Sequence, residues 1–232
     1  MNFDTVTLGE IAEFMNGGAW SDKEYVDTGV PVVRITECPN GTVDLTNCKY
    51  LPEESLSKYA KHMLTTDDLV IATVGSHPSQ PKSVVGRPII IPASADGALL
   101  NQNAVRIRPA SNRLNKKFLG YLGKSGEFHH YIVACARGSA NQVRMAIGLL
   151  KEMPVRLPAL TVQKKVASIL SAYDDLIENN TRRIKILEEM AQAIYKEWFV
   201  NFHFPGHEKF TMVQSHLGMI PKGWEVKNLS DA

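Results

Sequence analysis

The chain is poor in cysteine: Cys38, Cys48 and Cys135 are the only three in 232 residues. The count is odd and the spacing irregular, so no disulfide framework is expected, and a reducing cytoplasm fits. No stretch approaches the roughly eighteen consecutive apolar residues of a membrane span, so no membrane partner is expected. The opening MNFDTVTLGE has neither a basic nor an apolar signal region, which argues against secretion. No G-x-x-x-x-G-K-[ST] loop, strand-following G-x-G-x-x-G, H-E-x-x-H or G-x-S-x-G is present, which argues against the nucleotide, zinc-protease and serine-hydrolase chemistries these motifs carry. Cys38, Cys48 and His62 match no zinc spacing, and His129, His130 and Cys135 read as packing or helix surface. Asp174-Asp175 and Glu188-Glu189 are neighbours on a helix and point apart, so they build no acid/base pair. No catalytic residue and no metal or cofactor site is expected.

What is present is an ordinary globular mixture, 44% hydrophobic and 22% charged, long enough for one large or two small cores. The net charge of +2 hides an uneven distribution. Residues 1–68 hold 5 Lys/Arg against 12 Asp/Glu, residues 69–157 hold 12 against 3, and residues 158–232 hold 9 against 9. A basic middle is what a nucleic-acid surface produces, and equally what two halves that cancel within one fold produce.

Up to residue 157 the sequence predicts a strand-rich α+β domain. Val30–Thr36, Leu69–Val74, Val84–Ile91 and Ala104–Ile107 read as strands, the third as an edge because of Pro88. Pro52–Met63, Asn115–Leu122 and Glu127–Cys135 read as helices, and Gly75–Ser83 and Arg137–Arg144 as polar turns. Thr161 is a candidate cap for a helix that runs without Gly or Pro from Val162 to Phe199, about 38 residues and roughly 57 Å. Its apolar face combines Val166, Ile169, Tyr173, Leu176, Leu187, Met190 and Ile194 with Leu170, Ile177, Ile184 and Trp198. One globular domain cannot cover this face along its whole length, so part of it requires a partner. Asn180 lies in the stripe, either to set register or because Asn179–Thr181 interrupts the helix. In the tail, Trp224–Ala232 (WEVKNLSDA) aligns with Phe3–Ile11 (FDTVTLGEI), which suggests the start of a second repeat.

The remaining chemistry sits in polar loops of the basic middle. Gly75–Ser83 offers Ser76, His77, Ser79, Gln80 and Lys82. Leu100–Arg108 offers Asn101, Gln102, Asn103, Arg106 and Arg108, and the third loop offers Arg137, Ser139, Asn141, Gln142 and Arg144. Asn and Gln pair with adenine in the major groove and Arg with guanine, whereas Lys and Ser suit phosphates. A single one of these is an ordinary solvated residue; three such loops in one basic segment point to nucleic acid without specifying it.

Several stretches together resemble the DNA-specificity subunit of type I restriction–modification systems: LGEIAEFMNGG (Leu8–Gly18), GVPVVRIT (Gly29–Thr36), DDLVIATVGS (Asp67–Ser76) and LNQNAVRIRP (Leu100–Pro109). More specific are RLPALTVQKKVASILSAYDDLIENN (Arg156–Asn180), AIYKEWFVNFHFPG (Ala193–Gly206) and IPKGWEVKNLSD (Ile220–Asp231). The resemblance implies a target-recognition domain (1–157), a long spacer helix with its entry segment (158–204), and a linker leading into a second repeat (205–232). It implies a non-catalytic reader of half a bipartite site in double-stranded DNA, with Arg34 of GVPVVRIT joining the candidate DNA contacts. Methyltransferase and restriction subunits are the implied partners, and they would bind S-adenosylmethionine and ATP. The family has two such units with antiparallel helices. This chain has one, as a half-subunit either natural or trimmed, so a homodimer through the helix is expected. A DNA-modifying enzyme and a coiled-coil adaptor that reads no DNA are the alternatives.

Overall fold

The apolar run Leu69–Ala72 alternates between two hydrophobic cores, and the architecture is built around it. In the computed structural model, residues 4–38, 41–76, 83–139 and 142–228 are described, with the backbone alone at 137–139 and 142. The chain divides into two compact units, residues 1–170 and 171–232.

In the first unit, β1 (Asp4–Thr7), α1 (Leu8–Ile11) and β2 (Ala12–Asn16) follow one another, with Glu10 bonded to the Thr7 amide. β3 (Val30–Val33), β4 (Lys49–Leu51), α2 (Ser55–Tyr59), β5 (Leu69–Ala72), β6 (Val74–Gly75), β7 (Pro88–Ile90), β8 (Leu99–Leu100) and β9 (Ala104–Pro109) come next. Then α3 (Lys116–Gly123), α4 (Gly126–Cys135), β10 (Ala136–Ser139), β11 (Gln142–Met145), α5 (Ile147–Lys151) and β12 (Pro154–Leu157) lead to α6 (Leu160–Tyr195). The central sheet is antiparallel, in the order β2-β9-β5-β7. Leu69 and Ile71 face Val105, Ile107, Leu119, Phe128 and Ile132 on one side, while Val70 joins Val33, Leu64, Ile89 and Leu100 on the other. A strand buried on both faces needs a continuous apolar run, which is why this one does not alternate. β7 is the edge strand expected from Pro88, reduced to three residues.

Other elements differ from the sequence reading. Val30–Thr36 stops as a strand at Val33, and Ile35–Glu37 is a 3-10 turn closed by Glu37 on the Arg34 amide. The helix over 52–63 shrinks to α2 plus a 3-10 turn, Ala60–His62. Where the sequence reads Arg137–Arg144 as a turn, β10 and β11 pair antiparallel, and β11 finds a second partner in β6. Asn115 and Ser125 cap α3 and α4 by accepting from the amides three residues on. Thr161 is not the cap of α6, which starts at Leu160. The first turns of α6 belong to the first unit: buried Gln163 donates to the Arg113 and Pro158 carbonyls and accepts from the Asn115 amide.

In the second unit, α6 ends in a wider i→i+5 turn over Lys196–Val200. Glu197 accepts from Asn201 Nδ2 at 2.6 Å and from His203 Nδ1 at 2.9 Å, and these bonds, His203 first, hold its carboxyl below the usual range. Phe204 stacks on Trp224 with Phe202 edge-on, and β13 (Met212–Ser215) pairs with β14 (Gly218–Pro221). Residues 205–228 therefore contain a hairpin. No strand forms at 222–228, and the proposed repeat partners Phe3 and 229–232 lie outside the described residues.

Candidate nucleic-acid interface

Thr73, between β5 and β6, is where the polar segments meet. Its amide donates to the Asn103 carbonyl at 2.9 Å, and its carbonyl accepts from the Met145 amide at 3.0 Å. One residue thus ties the Leu100–Arg108 loop to the β10–β11 hairpin. β6 then pairs with β11, Val74 opposite Arg144 and Gly75 opposite Val143. Ser83 Oγ donates to the Ser76 carbonyl at 2.7 Å and closes the base of the Gly75–Ser83 loop. On the other flank, the Asn101 amide donates to Val33 O at 3.0 Å, which sets the turn beside Arg34. The Gly17 and Gly18 amides donate to the Ala104 and Leu100 carbonyls at 2.9 and 2.7 Å. Gly17 is needed there: a Cβ would stand 1.9 Å from the Asn101 carbonyl oxygen.

The described parts of the three polar segments, Ser76 and Ser83, Asn101–Asn103 and Arg144, are thus tied to one strip of backbone. Gln102, Asn103 and Arg144 are exposed; Asn101, Ser76 and Arg34 are half-buried. Arg144 faces solvent because β11 alternates, with Val143 and Met145 in the core. Arg137 and Ser139 pair in backbone register with Arg144 and Gln142. The side chains of Arg137, Ser139 and Gln142, and all of His77, Ser79, Gln80, Lys82 and Asn141, lie outside the described residues.

Three arginines do not stand as free cations. Arg34 grips the Glu37 carboxylate through Nε and Nη2, and this pairing raises its guanidinium further. Arg106 is corrected from DNA contact to buried anchor: at 8% exposure, its Nη1 donates to the Lys61 and Met63 carbonyls at 3.0 and 2.6 Å. Burial, then Arg108, lowers its guanidinium. Arg108 is likewise corrected. It donates twice to buried Asp68, each bond 2.6 Å, and Lys116 adds a third contact at 2.8 Å. Burial alone would raise Asp68; the bonds from Arg108, Lys116 and the Thr65 amide outweigh it and hold the carboxyl below the usual range. The alternation of AVRIR puts both arginines on the second face of the sheet. Only the tertiary structure covers that face, with residues 61–68. Thr73, Gly17 and Gly18 escaped the sequence reading because they act through the backbone; the glycine pair was the one available signal.

Along α6, Val166 is half-buried, and Ile169, Tyr173, Leu176, Ile177, Ile184, Leu187, Met190 and Ile194 are 48–63% exposed. Leu170 and Trp198 are 38 and 39% exposed. The helix is unbroken through exposed Asn180, so the interruption considered at Asn179–Thr181 does not occur; Thr181 Oγ1 bonds back to Ile177 O. Among the described residues, no group of His, Cys, Asp or Glu could hold a metal ion, and no helix is long and apolar enough to cross a membrane.

The first unit is thus a mixed α+β domain from which one long helix leads. The chain belongs to the type I restriction–modification DNA specificity domain family, whose model matches residues 1–189. It is 26% identical over 224 residues to the putative type I restriction enzyme MjaX specificity subunit of Methanocaldococcus jannaschii, covering 97% of this chain and 51% of that protein. It is 33% identical over 144 residues to the MjaIX specificity subunit of the same organism, covering 62% and 33%. The fold matches the type I restriction–modification S subunit from M. genitalium with a TM-score of 0.60 at 18% identity, covering 90% of this chain and 49% of that one. The HsdS subunit from Thermoanaerobacter tengcongensis matches at 0.50 and 15%, covering 85% and 45%. The chain spans about half the length, or less, of these proteins.

Proposed function

We propose that the chain is a non-catalytic, sequence-specific DNA-binding subunit of a type I restriction–modification complex that reads one half-site of double-stranded DNA. The observation that carries this reading is the Thr73 junction, which ties the Asn101–Asn103 turn to the strand bearing Arg144 in a chain of the specificity family. Gln102, Asn103, Gln142 and Asn141 supply base-pairing edges, and Arg144, Arg137 and Lys82 meet phosphates. Residues 1–157 are the target-recognition domain, 158–204 the spacer helix with its entry segment, and 205–232 the link to a second repeat. Methylation and cleavage belong to partner methyltransferase and restriction subunits, which bind S-adenosylmethionine and ATP, and the complex works in the cytoplasm.

The exposed stripe of α6 takes the same helix of a second copy, antiparallel. One observation supports this occupant: the apolar face of the helix lies open. A twofold pair would present two identical half-sites in inverted orientation.

The test is co-expression with the adenine methyltransferase subunit of the same system, followed by genome-wide mapping of N6-methyladenine. An interrupted palindrome is the expected result. No new methylation while the two proteins co-purify would refute DNA reading by this unit and leave an adaptor.

A further inference from the structure

His62 belongs to none of the polar loops that the sequence singles out, yet it stands beside the strip they form. Its Nδ1 lies 2.9 Å from the Asn16 carbonyl oxygen. A carbonyl only accepts, so Nδ1 carries the proton, and in the neutral ring Nε2 is left as an acceptor. Among the described residues, no side chain or backbone group is bonded to Nε2. The ring sits over Gly18: a Cβ there would come within 2.9 Å of His62 Cδ2 and 2.4 Å of the Trp20 ring. Gly18 in turn bridges Asn101, so a single backbone bridge links the residue under the ring to the Asn101–Asn103 turn.

Two features hold the ring there. Asn16 ends β2 opposite Val105 of β9, which fixes the carbonyl that receives Nδ1. Arg106, on the same strand, donates to the carbonyls of Lys61 and Met63, the residues on either side of His62. Burying a guanidinium is costly. Here it clamps one short turn on both sides of one half-exposed imidazole.

We propose that His62 is a base-reading residue of the strip, accepting through Nε2 from the exocyclic amino group of adenine or cytosine in the major groove, and that Arg106 is the positioning residue that aims it. The inference rests on the DNA-reading function above and adds a reader that lies 39 residues before Asn101 in sequence, Asn101 being its neighbour through Gly18.

The test is selection from a randomised duplex library with the full chain, alone and as His62→Ala, His62→Gln and Arg106→Lys. The wild type is expected to select a motif with one position restricted to adenine or cytosine. His62→Ala relaxes that position by about tenfold and leaves the others unchanged. His62→Gln, which keeps an acceptor, retains the preference. Arg106→Lys relaxes the same position, and the double variant with His62→Ala relaxes it no further. If His62→Ala leaves the motif unchanged, or weakens all sequences equally, the assignment of His62 is overturned. If Arg106→Lys lowers thermal stability without touching that position, its positioning role is overturned. A wild-type chain that selects no motif overturns the DNA-reading function itself, and this inference with it.

Discussion

Arg108 and Arg144 are both basic residues of the middle segment, and the structure gives them opposite roles that one pair of measurements separates. Asp68 is fully buried and receives Arg108, Lys116 and the Thr65 amide. Removing one member of a buried ion pair leaves charge uncompensated and costs about 3–5 kcal/mol. Asp68→Asn is therefore expected to lower Tm by roughly 6–20 °C, at about 2–4 °C per kcal/mol for a unit of this size. Arg108→Met loses about 3 kcal/mol by the same reasoning, with Lys116 still in place. Circular dichroism melts read both. In DNA binding, Arg108→Met leaves the slope of log affinity against log salt unchanged, whereas Arg144→Ala reduces its magnitude by about 0.9 at an unaltered Tm. The pH dependence carries a definite sign. The folded Asp68 carboxyl lies below its unfolded value, so its contribution is present above the unfolded value, near about 4, and is lost as pH falls through the lower folded one. The wild type accordingly loses stability in acid more steeply than Asp68→Asn. An Arg108→Met chain with unchanged Tm and a shallower salt slope would refute the reasoning.

Gly86 has φ +72°, and a Cβ there would lie 2.0 Å from Ile132 Cγ2, so Gly86→Ala should cost about 1–3 kcal/mol from overpacking with backbone strain added, read as a lower urea midpoint; an unchanged midpoint would contradict the contact. If α6 pairs with a second copy, Leu176→Asp removes two buried leucines per dimer, about 4 kcal/mol or roughly a thousandfold in Kd, and sedimentation should show a monomer where the wild type is a dimer. A wild type that sediments as a monomer at high concentration would rule the pairing out. Burial, with the Glu37 charge, pushes the Cys38 thiol up to about 12, so alkylation followed by mass spectrometry should find it protected until the chain unfolds; modification of the native chain at the rate of a free thiol would refute that.

The sequence by itself determined the class of fold, a strand-rich α+β unit followed by one long helix. The apolar run at Leu69–Ala72, the helical stretches Asn115–Leu122 and Glu127–Cys135, and the Gly- and Pro-free stretch that became α6 are local signals, because turn chemistry and 3.6-residue periodicity act over a few residues. The exposure of Gln102, Asn103 and Arg144 was legible for the same reason: composition marks positions that no core can hold. What lay beyond reach was which surfaces meet. Alternation placed Arg106 and Arg108 on one face of β9 but could not show that residues 61–68 cover that face, so two cations read as solvent-facing became buried anchors. Arg137–Arg144 read as a turn because its strand partner, Val74–Gly75, lies some seventy residues away in sequence. The strip itself is joined by the amides and carbonyls of Thr73, Gly17 and Gly18, groups identical in every residue, so only the folded chain could tie the Asn101–Asn103 turn to the strand that carries Arg144.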